Sequence, residues 1–108
     1  MDDRTMLELA AKAAGVVIRG SCDGECCMDI GDGEPIYWNP LTDDGDALRL
    51  AVKLGLVLSI DLMLGGETEA WPYTHESRLV GEEHNGDPCA ATRRAIVRAA
   101  AAIGKEKA

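Results

Sequence analysis

The feature that most constrains the fold is the segment 38–48, in which a strand end turns through a proline into a helix. Trp38 closes a short run of strand-forming residues. Pro40 prevents that strand from continuing, because proline has no backbone N–H to donate to a sheet. Residues that can cap the following helix come next, at Thr42, Asp43 and Asp44. The middle of the chain is therefore predicted to be a strand, a turn and a helix.

Caps and apolar spacing predict the first and middle helices. Thr5 and Glu8 have the spacing of a capping box, and helical periodicity extends about to Ala14. The first and middle helices are expected to end at Gly15 and Gly55, since glycine suits the position just past a helix. The predicted apolar face of the middle helix consists of Ala47, Leu48, Ala51, Val52 and Leu54.

A closing helix is predicted over 89–103. Asp87 suits its N-cap and Pro88 its first turn, and Gly104 is expected to end it. Its predicted inner face consists of Cys89, Ile96, Ala99, Ala100 and Ile103.

Short strands are predicted between the helices, at 16–21, 26–30, 35–38, 56–64, 68–74 and 78–82. An Asp–Gly pair at 23–24 suits a two-residue hairpin turn between the first two strands. The order is then α-β-β-β-α-β-β-β-α. We expect an α+β protein with a small antiparallel sheet of about four to six short strands packed with three helices. One domain over 1–108 is expected, with a frayed tail at 105–108.

Charge restricts the kind of partner. The chain has 19 acidic and 11 basic residues and a formal net charge of −8. A phosphate-binding surface needs clustered Lys and Arg, so direct binding to nucleic acid is not expected, whereas a basic partner is. Eight acids and no base lie between Arg19 and Arg49: Asp23, Glu25, Asp29, Asp32, Glu34, Asp43, Asp44 and Asp46. This set is the predicted partner-binding surface, with Tyr37 as an exposed aromatic anchor and Trp38 in the core.

No apolar run approaches the roughly 20 residues that a membrane-spanning helix needs. The acidic start of the chain is unlike a secretory signal. We therefore expect a cytoplasmic protein with reduced cysteines and no membrane contact.

The cysteines and histidines do not favour a catalytic or metal site. A zinc site could use Cys22, Cys26 and Cys27, with Cys89, His75 or His84 as the fourth ligand. Adjacent cysteines on a strand face opposite ways, so no metal and no cofactor are predicted. His75 and His84 could serve as a base for a cysteine nucleophile. Both lie in loop segments where solvated histidines are expected, and an enzyme is not predicted.

The closing helix offers an alternative function. Arg93, Arg94 and Arg98 could bind phosphates, so the protein could sequester a signalling nucleotide. A zinc-stabilised structural module is a further alternative. The alanine-rich helix faces permit either a monomer or a homodimer.

Three segments resemble a group of small bacteriophage and prophage accessory proteins, the phage ABA-sandwich domain family. The segments are Trp38-Asn39-Pro40-Leu41, Asp44-Gly45-Asp46-Ala47 and the sequence from Asp87 to Ile96. The resemblance covers nearly the whole chain and carries no catalytic residues. It implies helices packed around a small antiparallel sheet. It also implies a phage-encoded, non-enzymatic inhibitor of a host defence or nucleic-acid-handling complex, as anti-CRISPR proteins are. The expected partner is a host protein or ribonucleoprotein with a basic surface, in the cytoplasm of the infected bacterium.

Overall fold

The computed structural model describes residues 2–22, 25–28, 36–63, 65–75 and 78–107. The helices in this part of the chain are α1 (Asp3–Ala14), α2 (Asp44–Leu54) and α3 (Pro88–Glu106). The strands are β1 (Ile18–Cys22), β2 (Glu25–Met28), β3 (Ile36–Trp38), β4 (Leu56–Asp61), β5 (Glu67–Pro72) and β6 (Val80–Glu83). The predicted α+β class is confirmed.

The strands form two separate antiparallel sheets, β1-β2-β3 and β4-β5-β6. The prediction of one sheet of about four to six strands is corrected, since each sheet of the described residues has three. The proline corner and α2 separate β3 from β4 in the sequence. Strands joined by short connections pair with each other, and β4 pairs with β5 instead of β3. Cys22 lies opposite Glu25, which leaves two residues for the predicted hairpin turn; those two lie outside the described residues.

The caps explain where the first two helices begin and end. The Asp2 carboxylate accepts a hydrogen bond from the Thr5 N–H at 2.7 Å, so α1 begins at Asp3. The predicted capping box is therefore corrected, because Thr5 lies inside the first turn. Asp43 caps α2, as one of the three predicted candidates, by accepting from the Asp46 N–H at 2.8 Å. Both helices end at a left-handed glycine, as predicted.

The core lies between α1 and α3, with α2 and the first sheet beside them. Its larger side chains are Met6, Leu7, Trp38, Leu50, Ile96 and Val97. A smaller cluster joins α3 to the second sheet, where Ala95 and Ala99 pack against Ala70. Trp38 is 5% exposed and Tyr37 is 59% exposed, as the strand alternation predicted.

Two residues of the predicted α2 core face lie on the surface instead. Leu48 is 60% and Val52 73% exposed, whereas Leu50 is buried. Because α2 packs mainly on α3, its buried stripe runs through Ala47, Leu50 and Ala51. Leu48 and Val52, four residues apart, form an apolar ridge beside that stripe.

The closing helix is longer than predicted and passes through Gly104 to Glu106. Gly104 is buried and lies against the backbone carbonyl of Leu9. Its missing side chain permits close packing of α3 on α1, so here glycine is a packing residue. At the other end, Cys89 is exposed in the first turn and is not part of the inner face.

Within the described ranges, no helix has the length and apolar character needed to cross a bilayer.

Candidate partner-binding surface

The second sheet has one face against α3 and one face toward solvent. In β5, Thr68, Ala70 and Pro72 are buried. The residues that alternate with them are more exposed: Glu67 is exposed, and Glu69 and Trp71 are half-buried. We call the solvent side the outer face. It carries Val57, Ser59 and Asp61 from β4, Glu67, Glu69 and Trp71 from β5, and Gly81 and Glu83 from β6.

Three carboxylates form a row across this outer face. Asp61 lies opposite Glu67, and Glu67 lies opposite Glu83. We call these three residues the acidic row. All three are exposed, and the half-buried Glu69 lies two residues along β5. The sheet therefore displays four negative charges on one side.

The acidic row has no counter-ion within the described residues. Its Asp61 accepts a hydrogen bond from the Met63 N–H at 2.8 Å, and no described Lys or Arg forms a salt bridge with any of the three. Like charges directly opposite each other on neighbouring strands destabilise a sheet. The row is thus a local cost to stability that a cationic partner would relieve.

An apolar end adjoins the acidic row on the same outer face. Trp71 is half-buried and lies directly opposite Val57. Tyr73 follows at the end of β5 and is 80% exposed. Aromatic side chains are enriched among the residues that dominate binding energy, so the outer face combines an anchor with charge.

The arginines predicted to bind phosphate are engaged with other parts of the protein. Arg93 donates to the Leu41 carbonyl at 2.8 Å and to Asp44 at 2.6 Å. Those bonds fasten the start of α3 to the proline corner and α2. Phosphate binding by Arg93 would have to displace the Asp44 carboxylate.

The other two arginines meet at a different carboxylate. Arg98 forms an ion pair with Glu82 and donates to the Gly81 carbonyl at 2.9 Å. Arg94 lies 3.8 Å from Glu82 and donates to Asp3 at 3.2 Å. Glu82 therefore joins β6 to α3, and the structure brings Arg94 and Arg98 together but not with Arg93.

The predicted acidic surface at 23–46 is only partly described. Asp23, Asp29, Asp32 and Glu34 lie outside the described residues, as does the side chain of Glu25. The three remaining acids have structural contacts. Asp43 caps α2, Asp44 pairs with Arg93, and Asp46 accepts from the Asn39 N–H at 2.9 Å and from Arg49 at 2.7 Å. Asp43 thus fixes the start of α2, Asp44 links it to α3, and Asp46 ties it to Asn39 at the proline corner. The exposed Tyr37 remains available.

The outer face was missed from sequence because its acids are scattered. They lie in three strands between residues 61 and 83, and two of those strands are weakly signalled. The available signal was the alternation of Glu67, Glu69 and Trp71 with small or apolar residues. Only the register brings Asp61 and Glu83 to either side of Glu67.

The histidines divide between a buried and an exposed position. His84 is 5% exposed, which corrects the prediction of a solvated loop residue. Its Nε2 lies 2.8 Å from the Thr68 hydroxyl, which lies 2.8 Å from the Thr92 hydroxyl. This network ties the loop before α3 to β5. His75 is exposed, as predicted, and bonds to Thr74.

The cysteine cluster is described only by its backbone. Cys26 lies opposite Ser21 and Trp38, and Cys27 lies opposite Tyr37. The side chains of Cys22, Cys26 and Cys27 lie outside the description. The residues whose side chains are described include no group of three His, Cys, Asp or Glu arranged to hold a metal ion.

Comparison of the chain with protein-family models, with curated proteins and with solved structures gives no match. The described residues define an α+β protein whose second sheet presents carboxylates beside an aromatic side chain.

Proposed function

We propose that the chain is a phage-encoded, non-enzymatic binding protein that inhibits a host defence or nucleic-acid-handling complex. One observation carries the binding role: Asp61, Glu67 and Glu83 form an exposed row without a described counter-ion. The phage origin and the inhibitory role rest on the resemblance of the proline corner and the closing helix. Anti-CRISPR proteins are the class of inhibitor that the resemblance suggests.

The acidic row fits a partner with clustered Lys and Arg, because each of its carboxylates gains a cation on binding. The same charges repel phosphates, so the partner is a protein or ribonucleoprotein rather than free nucleic acid. A surface of this kind speeds encounter with a basic cleft and selects against acidic partners. By occupying such a cleft, the protein would exclude nucleic acid from it.

The binding surface in this proposal has two parts. The outer face supplies the acidic row and Trp71, and the 23–46 segment supplies its own acids with Tyr37 as a second anchor. Asp43 caps α2 and Asp46 holds the proline corner, so replacing them would change the fold as well as the charge. The acidic row is the better target for mutation because none of its side chains caps a helix or forms a described ion pair. The proposed compartment is the cytoplasm of the infected bacterium.

The test is affinity capture of the tagged protein from a nuclease-treated bacterial lysate, at low and at moderate salt. The test variant combines Asp61→Asn, Glu67→Gln and Glu83→Gln. The control variant combines Asp3→Asn, Glu8→Gln and Glu106→Gln, which removes the same charge from exposed acids on helices. Circular dichroism checks that both variants are folded.

We expect the wild type and the control variant to capture a host protein or ribonucleoprotein that dissociates as salt rises. The variant of the acidic row should not capture it, because the loss of three cationic contacts removes both steering and affinity. An equal loss of capture in the two variants would show that general net charge, and not the outer face, determines binding. A wild type that captures nothing at low salt would contradict the binding role.

A further inference from the structure

Strand β4 is an edge of the second sheet, with β5 on one side and no described strand on the other. The Tyr73 N–H donates to the Gly55 carbonyl at 3.1 Å, just beyond the β4–β5 register. Hydrogen-bonded and non-bonded pairs alternate along an antiparallel ladder. The backbone groups of Leu56, Leu58 and Ile60 therefore point away from β5, toward the open edge. Pro72 fits this pattern, since it lies opposite Leu56 and has no N–H to donate.

This edge lacks the features that usually prevent strands from pairing with other chains. Proteins protect edges with proline, lysine, bulges or very short strands. β4 has six residues in unbroken register with β5, without proline or lysine, and Asp61 is its one charged residue. Among the described residues no strand covers this edge, so the backbone of β4 can accept another strand.

An apolar groove of about 330 Å³ runs along the same edge, between β4, α2 and the start of α3. Leu58 and Ile60 line it from β4, Ala47 and Leu48 from α2, and Ile96 from α3. Ile60 is 53% and Leu48 60% exposed, and the neighbouring Val52 is 73% exposed. The groove lies where the inward side chains of a further strand would pack.

We propose that a second copy of this chain covers the edge, with the two β4 strands pairing antiparallel about a two-fold axis at Leu58. A two-fold axis perpendicular to the sheet keeps the outer faces of the two copies on the same side. The backbone groups that point away from β5 in one copy must then bond to the groups that point away from β5 in the other. Leu58 then lies opposite Leu58 of the second copy, and Leu56 lies opposite Ile60 of the second copy. This register uses both backbone groups of all three edge residues. It also places the apolar side chains of each copy over the groove of the other.

The charge distribution favours a copy of the chain over a basic partner at this edge. The chain carries a net charge of −8, so two copies can meet only where acids are absent or neutralised. Asp44 is paired with Arg93, and Asp46 with Arg49. In the proposed register Asp61 lies opposite Gly55 of the second copy, so no acid of β4 faces an acid. A basic strand would find no unpaired carboxylate among the described residues that line the groove.

Exposed apolar side chains continue the surface on both sides of the edge. Leu48 and Val52 flank β4 on α2, and Leu62 and Met63 follow β4 directly. Pairing would join two outer faces into one continuous sheet with two acidic rows. The dimer would then be a bivalent ligand for a basic surface.

Sedimentation equilibrium from micromolar to near-millimolar concentration tests the proposal. The wild type should approach twice the chain mass of 11.5 kDa. Ile60→Lys places a charge in the β4–β4 interface from each of the two copies. The dimer dissociation constant should rise at least about 100-fold, which corresponds to tenfold or more for each copy. The control is Val17→Lys, the same kind of change at a Val that is 61% exposed and lies outside β4 and α2. It should leave the dimer unchanged.

Leu48→Lys, which changes the groove from α2, serves as a second variant if circular dichroism shows that Ile60→Lys is unfolded. A wild type that stays monomeric throughout the concentration range would overturn the proposal. So would a dimer that survives both Ile60→Lys and Leu48→Lys. If the wild type is monomeric but captures a host protein that Ile60→Lys does not capture, the edge binds a foreign strand and the second copy is excluded. Capture that depends on the acidic row is a separate outcome, which bears on the proposed function alone.

Discussion

Gly104 of α3 lies directly against the backbone carbonyl of Leu9 in α1. A Cβ atom at position 104 would overlap that carbonyl oxygen, and it would also press on the Ala13 amide nitrogen. Because the contact atoms belong to helix backbone, no side chain can rotate away. The separation of the two longest helices is therefore set by the absence of one methyl group.

We predict that Gly104→Ala destabilises the protein, although alanine is the better helix former. Overpacking of a closely packed site costs about 1–3 kcal/mol. The gain in helix propensity is at most about 1 kcal/mol. Urea denaturation of Gly104→Ala should show a net loss of free energy of unfolding. The matched control is Gly45→Ala in the first turn of α2, where a Cβ meets only side-chain atoms, 3.1 Å from the Arg49 guanidinium and 3.2 Å from an Asp43 carboxylate oxygen. A control as unstable as Gly104→Ala would show that helix packing is not the cause.

Local signals in the sequence predicted the order of the helices and strands. Asp87, Gly15 and Gly55 act at helix ends in the expected way, because capping depends on a few neighbouring residues. The alternation of Tyr37 and Trp38 was also sufficient to place one outside and one inside. These features require no knowledge of distant parts of the chain.

The remaining features depend on contacts between distant segments. Gly104 has the local pattern of a helix end, and only the approach of Leu9 makes it a packing residue. His84 lies in a polar loop, and only its contact with Thr68 buries it. The acidic row was not predicted because Asp61 and Glu83 are brought together by strand register. The separation of the strands into two sheets likewise follows from pairings that the sequence pattern does not specify.

The hydroxyl of Thr68 provides a second test, because it is the partner of the buried His84. Thr68→Val keeps the shape of the side chain but leaves His84 Nε2 and the Thr92 hydroxyl without this hydrogen bond. A buried polar group without a partner costs about 1–3 kcal/mol, and we expect a loss of that size in urea denaturation. Thr74→Val removes an equivalent bond between Thr74 and the exposed His75 and should change stability by less than about 0.5 kcal/mol. Similar losses in both variants would contradict a special role for the buried network.

The N-cap of α1 predicts a local response to acid. The backbone N–H of Thr5 first, and then its hydroxyl, hold the pKa of Asp2 below its ordinary value of 3.8. Since the folded pKa is the lower one, the cap stabilises α1 fully above about pH 3.8, and this contribution is lost as the pH falls through the folded pKa. In an NMR titration, the Thr5 amide shift should follow the Asp2 carboxyl with a midpoint below 3.8. Asp2→Asn keeps a capping side chain that does not titrate, so the Thr5 amide should lose that transition. A midpoint at or above 3.8 in the wild type would contradict the capping bond.

Glu67 has the central position in the acidic row, with Asp61 on one side and Glu83 on the other. Glu67→Gln removes both unfavourable pairs while it keeps the size of the side chain. We expect the free energy of unfolding to rise by roughly 0.2–1 kcal/mol at low salt. The gain should shrink as salt increases, because screening weakens the repulsion in the wild type.

Glu106→Gln is the matched control for Glu67→Gln, since it neutralises an exposed glutamate that is already paired, with Arg78. It should give no gain in stability, although it reduces the net charge by the same amount. Thermal or urea denaturation at two salt concentrations distinguishes the two variants. If Glu67→Gln is more stable and also loses the captured host protein, the acidic row lowers stability and supplies binding with the same charges. If Glu67→Gln is no more stable than the control, the carboxylates of the acidic row do not repel one another in the free wild-type protein. The electrostatic reason for a cationic partner is then lost.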